Sequence, residues 1–559
     1  MSGKFSRRHF FYGSLLAGAV PAGGFGSTPS LTAAGYKSFN EKLNIASIGA
    51  GIRAGQIVPC AAVTENIVAM CDVDSVRSAS VFSRYPNATK YSDFRKLLDK
   101  EDKNIDAVMI ATPDHNHTPI SLLAMQHGKH VYCEKPLTRT FWESELLAQA
   151  AVKYKVATQM GNQGFNHEAL KTACEILWSG DIGDVREVYA WTGGIYGGQP
   201  RLPETGPAKE DIPSTLDWEL WLGPAAQRDF NHLLTGQWRA FQDFSTGGSL
   251  GDWLVHNIGP AHMALQLDKA PPISVEAVTV EGKNQWLWPD SDHIVFEFPA
   301  RANMPPVTIH AYQNMRGDEF KNPEGMKEGD RLFPAMNNLA NEKNRPFMET
   351  GDGLMLITGL GPDGKPVAQA GGRGGGGGGG RGAGAPGTMT LANRGGVPGL
   401  TTFPVPPGTP GAAPGTPGAA AGRGGGGGGR GAGPGAANRA PGNGSVFVGS
   451  KGTMATTSRG EGVWLLPEAR WAEYKLPPQI LQRGINHQMD WIRACKGGAP
   501  GVSDFAVATK YIQWLCLGAI ATRVPGKLMW DAKNQRFSNS EEANKLLKPY
   551  MRKGWEFKV

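Results

Sequence analysis

Short apolar runs alternate with stretches of helical periodicity over the first third of the chain. Residues 43–48, 66–70, 105–111, 130–133 and 156–160 are short, mostly apolar runs. They lack the polar alternation of a strand that wets one face, so they predict strands buried on both faces, as in a parallel sheet. Between them, residues 74–84, 95–100, 118–127 and 140–154 carry the 3.6-residue pattern of helices. After Gly161 the texture changes. Residues 185–191, 273–280, 293–298 and 307–312 alternate partially, and long loops rich in Trp, Pro and Gly separate them. That predicts a second domain on an open mixed or antiparallel sheet. Residues 445–448 and 449–454 read as a strand, a turn and a returning strand. Residues 486–495 and 504–524 read as closing helices.

Residues 371–444 are almost entirely Gly, Ala, Pro, Arg and Thr. Such a stretch buries too little apolar surface to offset its chain entropy, which predicts a disordered surface insert. The expected layout is therefore a leader and linker over 1–40, a nucleotide domain over 41–160, a second domain over 161–370, the insert over 371–444, and the rest of the second domain over 445–559.

The leader expectation comes from Ser6-Arg7-Arg8-His9-Phe10-Phe11 and the modest apolar run that follows. Twin arginines before a short hydrophobic stretch mark a Tat-type export signal, too short to span a bilayer in the mature protein. Ala22 and Ala34 are both compatible with cleavage. Export through the Tat machinery predicts a periplasmic protein that folds around its cofactor first. The net charge is +7, but six arginines lie in the insert and two in the leader, so no nucleic-acid partner follows from it. Six cysteines, with no CxxC pair or zinc spacing, predict packed free thiols and no metal centre, with a disulfide formed after export left open.

Each apolar run stops at residues suited to a ligand, which is how a doubly wound sheet builds a nucleotide site. The first ends at Gly49-Ala50-Gly51. Gly49 permits the tight turn, Gly51 lets backbone approach a pyrophosphate, and Ile52 and Arg53 open the helix whose N-terminus would face it. The second run ends at Cys71-Asp72-Val73-Asp74, where Asp72 can bind ribose hydroxyls and repel a 2′-phosphate. NAD is favoured, with NADP left possible by Arg53 and Arg77. The third ends at Thr112-Pro113-Asp114-His115-Asn116-His117, with His115 expected exposed. The fourth ends at Glu134-Lys135-Pro136.

Together with Tyr91-Ser92-Asp93-Phe94, Gly251-Asp252, His256 and Gly449-Ser450-Lys451-Gly452, these motifs resemble the Gfo/Idh/MocA oxidoreductases, in particular their exported twin-arginine members. The resemblance implies a Rossmann domain followed by an α/β domain with an open mixed sheet. It also implies a site between them for a sugar, cyclitol or glycoside and a homo-oligomer. It places Thr112, Pro113, His117, Glu134 and Lys135 at the cofactor, and Lys135, Asp252 and His256 at the reacting carbon. Asp252 and His256, four apart, would share one helical face and converge on one substrate, with His256 the base and Asp252 orienting it or binding a second hydroxyl. His262 is expected to be structural. Trp238-Arg239 lies close enough in sequence to join the substrate wall. Gly161-Asn162-Gln163 stands where many members are arginine-rich, so Asn162 and Gln163 suggest hydroxyl recognition. Because free dinucleotide is scarce outside the cytoplasm, export implies a tightly held cofactor. Two outcomes are open: hydride exchange at a secondary hydroxyl, or glycoside cleavage through transient C3 oxidation. A non-catalytic binding protein of the same fold is the remaining alternative.

Overall fold

The computed structural model describes residues 41–195, 198–327, 330–333, 441–483 and 486–559, and the backbone of the hairpin strands Phe347–Thr350 and Met355–Thr358. The leader expected over 1–40 lies outside the described residues, as does the insert up to residue 440.

Six strands form the first sheet: β1 (Asn44–Ile48), β2 (Asn66–Cys71), β3 (Thr89–Tyr91), β4 (Ala107–Ile110), β5 (His130–Glu134) and β6 (Thr158–Gly161). All neighbours are parallel, in the order β3-β2-β1-β4-β5-β6. This is the doubly wound dinucleotide-binding order, whose switch point lies between β1 and β4. Ile45, Ala46, Val108 and Met109 are fully buried, as the apolar runs required. Helix starts follow local chemistry. The Asp74 side chain accepts from Val76 N and Arg77 N to cap Ser75–Arg84, Asp93 caps Phe94–Glu101, and Thr140 with Glu143 forms a capping box on Phe141–Tyr154. The short edge strand β3 and the helix Glu168–Ser179 were not legible in the sequence. That helix buries ten consecutive residues from Glu168 to Leu177, its polar positions Glu168, Lys171, Thr172 and Glu175 included.

The second sheet has nine strands. They are β7 (Val185–Thr192), β8 (Ser274–Glu281), β9 (Ser291–Phe298), β10 (Val307–Gln313) and, after the hairpin strands β11 and β12, β13 (Gly444–Gly449), β14 (Gly452–Thr457), β15 (Val463–Leu466), β16 (Leu528–Asp531) and β17 (Arg536–Phe537). The order is β15-β14-β13-β7-β10-β9-β8-β16-β17. Only β7 and β10 pair in parallel, so the sheet is mixed. The helix Phe505–Ala521 packs Trp514 edge-on against Phe296 and Phe298 of β9.

The chain then reaches back across the molecule. The helix His487–Cys495 buries Trp491, Ile492 and Cys495 in one cluster with Leu43, Ile45 and Met109 of the nucleotide domain. Beside it, Lys496 Nζ and Glu65 Oε1 form a buried ion pair at 2.8 Å. A segment expected to close the second domain therefore completes the first. The six cysteines are free and buried. No helix among the described residues is long and apolar enough to cross a membrane.

Candidate active site

The nucleotide half of the site is built mostly from backbone. Gly49 has φ +84°, and a Cβ there would lie 2.7 Å from Ala111 C and 2.8 Å from Thr112 N. Only glycine lets the ends of β1 and β4 come this close. At Gly51 an added Cβ would meet nothing within 4 Å, so the backbone borders open space at the start of the helix Ile52–Ala62. That helix has no side-chain cap and no acid in its first turn, which leaves its N-terminus available to an anion. Ile52 is 87% exposed at this mouth. Asp72 accepts from Ala50 N at 2.6 Å and from Asp74 N at 2.9 Å. Burial raises its pKa against these two hydrogen bonds. A carboxylate has further lone pairs for ribose hydroxyls. Thr112 Oγ1 is buried without a partner at the end of β4. An open cradle at Gly51, an uncapped helix N-terminus, an acid at the end of β2 and an orphaned hydroxyl fit a dinucleotide.

Arg53 and Arg77 have partners of their own. Arg53 Nε lies 3.0 Å from Glu134 Oε2, and Arg77 Nη1 donates to Thr235 O at 3.1 Å. Glu134 Oε1 accepts from Gln163 Nε2 at 3.2 Å. A Cβ on Gly161 would sit 2.5 Å from that same carboxylate oxygen, so Gly161 gives Glu134 its place.

Lys135 directly follows β5 and crosses to the second domain. Its Nζ donates to Asp252 Oδ1 at 2.8 Å and to Asp252 O at 2.6 Å. Asp252 Oδ1 also accepts from Arg239 Nε at 2.8 Å. Burial opposes the charge on Asp252, but Arg239 and Lys135 outweigh it and hold the carboxyl below its usual value. Burial lowers the Lys135 pKa, with Asp252 opposing and Arg239 assisting. Arg239 stacks over Trp238 at 4.2 Å from the ring centre. Thus Arg239 joins the site, but beside Asp252.

His256 has a different partner from the one its spacing suggested. Residues Leu250–Leu254 form a π-helical turn that runs into the short α-helix Val255–Asn257. The wider turn breaks the simple i, i+4 face. His256 Nδ1 donates to Asn162 Oδ1 at 3.0 Å, and Asp252 is committed to Lys135 and Arg239. Asn162 therefore sets the imidazole tautomer and leaves the lone pair on Nε2. Burial, then the charge of Lys135, drives the His256 pKa well below its ordinary value and keeps the ring neutral. Asn162 and Gln163 do not form a free amide surface: one orients His256, and the other bonds Glu134 and the Tyr132 hydroxyl.

Four neighbouring residues are held by contacts inside the protein. His117 is buried, with its ring nitrogens 2.8 Å from Pro136 O and 2.8 Å from Thr112 O, so it ties β4 to the Lys135 segment. Pro113 adopts an extended conformation and caps the one-turn helix Asp114–Asn116. His115, expected exposed, is fully buried between Trp221 and Phe244, where burial lowers its pKa to about 3. His262 is buried and stacked on Tyr511 at 4.5 Å.

Sequence reasoning passed over Asp114. Its Oδ2 accepts from Thr246 N at 3.2 Å, and Thr246 O accepts from Gly251 N at 2.8 Å. One carboxylate of the nucleotide domain thus anchors the turn that carries Asp252. Burial pushes its pKa to about 7, against the pull of Arg239 and Lys135. Its place beside the Thr112-Pro113 motif was visible; the contact across the domains was not.

Residues 43–162 match the NAD-binding Rossmann fold of an oxidoreductase family, and residues 191–287 match that family's C-terminal alpha/beta domain, both Gfo/Idh/MocA models. The two matches follow one another along the chain in that order. Among its relatives, levoglucosan dehydrogenase of Pseudarthrobacter phenanthrenivorans is 37% identical over 111 residues, covering 19% of this chain and 27% of that protein. A glycosyl hydrolase family 109 protein of Solibacter usitatus is 27% identical over 276 residues, covering 46% of this chain and 54% of that protein. The chain spans at most 30% of the length of the first three curated relatives it matches. Among solved structures, an NAD-binding protein from Listeria innocua has a TM-score of 0.47 at 12% identity, over 88% of this chain and 97% of that one.

Proposed function

We propose that the protein is an NAD-dependent oxidoreductase acting on a secondary hydroxyl of a sugar, cyclitol or glycoside. The observation that carries this reading is the pairing of two proton-handling groups from opposite domains at the carboxyl ends of the nucleotide sheet. Lys135 is held by Asp252 and Arg239, and His256 is held by Asn162. Gly49, Gly51, Ile52, Asp72 and Thr112 would hold NAD, which supplies the hydride acceptor when bound. Neutral His256 takes the hydroxyl proton at Nε2, which Asn162 has left with its lone pair. The Lys135 ammonium stabilises the alkoxide that develops on the same oxygen. In the reverse direction His256 returns the proton. Asp252 and Arg239 keep Lys135 in place without touching the reacting carbon.

A second reading has one observation in its favour. The match to the family 109 glycosyl hydrolase protein runs over 276 residues, against 111 for levoglucosan dehydrogenase. Under that reading the same residues serve a transient oxidation that labilises a glycosidic bond, followed by re-reduction. Export through the Tat pathway, proposed from Arg7-Arg8, suits either reading if NAD stays bound between turnovers. Assembly as a homo-oligomer is part of the proposal.

The test is mass spectrometry of nucleotide released on denaturing the purified protein, followed by a sugar, cyclitol and glycoside panel. Retained NAD together with oxidation of one panel member is the expected result. Cleavage of a glycoside without net reduction of NAD selects the second reading. No nucleotide and no turnover overturn both and favour the non-catalytic binding protein.

A further inference from the structure

A cavity of about 1090 Å³ opens beside the second-domain half of the site. Its inner wall is Trp253, whose ring centre lies 6.1 Å from that of His256. Arg316, Lys327, Arg331 and Arg459 line it, against the carboxylates of Asp330 and Glu461. Among the described residues, the cavity wall therefore carries an excess of positive charge. Small-ligand pockets run to about 1,000 Å³, so the cavity has room for more than one sugar ring.

Arg459 is the best-defined of the four cations. It sits at φ 60°, a conformation that residues with side chains rarely adopt. Its carbonyl is pinned there: His167 Nδ1 donates to Arg459 O at 3.0 Å, and a Cβ on Gly164 would lie 2.4 Å from the same oxygen. The Gly164–His167 turn directly follows Asn162 and Gln163, so one segment positions both His256 and Arg459. The Arg459 guanidinium lies over Trp253 at 5.5 Å from the ring centre. Its Nε is buried without a hydrogen-bond partner, and its ion contact to Glu461 is long, at 3.8 Å. Backbone strain concentrates at ligand sites; the Nε is covered, but the partly exposed Nη end of the guanidinium can meet a carboxylate. Arg316, Lys327 and Arg331 form no ion pair with any other described residue.

We propose that this cavity is a subsite for an acidic saccharide. It takes the carboxylate of a uronic-acid unit attached to the ring that reacts beside His256. The inference rests on the proposed oxidoreductase reading and adds the substrate's charge to it. The neutral amides Asn162 and Gln163 do not argue otherwise, since both are used inside the protein.

The experiment is a calorimetric titration of the NAD-loaded full chain with three disaccharides of one linkage. One is neutral, one has a carboxylate in place of a hydroxymethyl group, and one carries a sulfate ester. The uronide should bind about tenfold or more tightly than the neutral sugar, as one charge-assisted contact allows. That advantage should shrink on raising salt from about 0.01 M to 1 M, which shortens the screening length from about 30 Å to 3 Å. Arg459→Gln and Arg331→Gln should each weaken uronide binding more than neutral-sugar binding, with bound NAD unchanged. Equal affinity for the neutral and acidic sugars, or no binding of the uronide, overturns the inference. A preference for the sulfate ester over the uronide overturns the carboxylate assignment. Loss of NAD together with loss of hydride exchange toward every sugar would instead strike the underlying oxidoreductase reading.

Discussion

The two halves of the site are made in different ways. On the nucleotide side, each contributing motif follows the end of a strand, and most of the work is done by backbone: the close approach at Gly49, the open space at Gly51, the free helix N-terminus. On the facing side, the parts are Arg239, Asp252 and His256, held by side-chain hydrogen bonds, one of them to Asn162 at the end of β6. The first half is defined by a few short motifs within one sheet. The second exists only once distant segments have packed. A substitution at Gly49, Gly51 or Asp72 should therefore act through the fold or the cofactor, and one at His256 through turnover.

The sharpest way to break this contrast is Gly49→Val. A side chain at a position with φ +84° and backbone carbon 2.7 Å away should abolish NAD retention and lower the thermal midpoint. Wild-type NAD content in the variant would contradict the backbone account. Next in size is His256→Ala, expected to cut turnover by about 10²–10⁴-fold while bound NAD stays at the parental level. Turnover at the parent rate would move the base to Lys135.

How much of this was legible follows the same division. The parallel sheet, the glycine turn, Asp72 and Lys135 could be read because a strand end and its motif lie within a few residues. The pairing of Asp252 with His256 could not be read correctly. Spacing of four residues implies a shared face only on an α-helix, and the π-turn Leu250–Leu254 removes that condition. Asn162 as the partner of His256 lies 94 residues away in sequence, beyond any local pattern. His115 looked exposed because it sits in a polar tetrad after a strand, yet Trp221 and Phe244 cover it. The helix His487–Cys495 was found, but its docking on the first domain depends on Glu65 and Lys496, 431 residues apart.

Two smaller effects sharpen the comparison. Asp72→Ala should weaken NAD more than NADP, measured by equilibrium binding, since only NAD offers the free 2′-hydroxyl. Equal losses would remove Asp72 from ribose recognition. Asp114 belongs to the nucleotide domain but serves the facing turn. It keeps its proton to about pH 7 in the fold, against 3.8 as the ordinary value. The folded state therefore binds more protons between those values. This contribution to stability is full below the lower value and is lost as pH rises through 7. Asp114→Asn should flatten that part of the pH dependence of urea midpoints. An unchanged slope would show that Asp114 ionises normally.

The most direct test of the central claim is the near-ultraviolet absorbance of reduced nicotinamide in purified protein mixed with a saccharide panel, run in parallel on His256→Ala. The account predicts that the band appears with at least one saccharide in the parent and is absent or slowed about 10²–10⁴-fold in the variant at equal NAD content. A band that forms equally fast in both proteins would contradict the assignment of His256 as the proton acceptor, and no band with any sugar, cyclitol or glycoside would contradict hydride transfer itself.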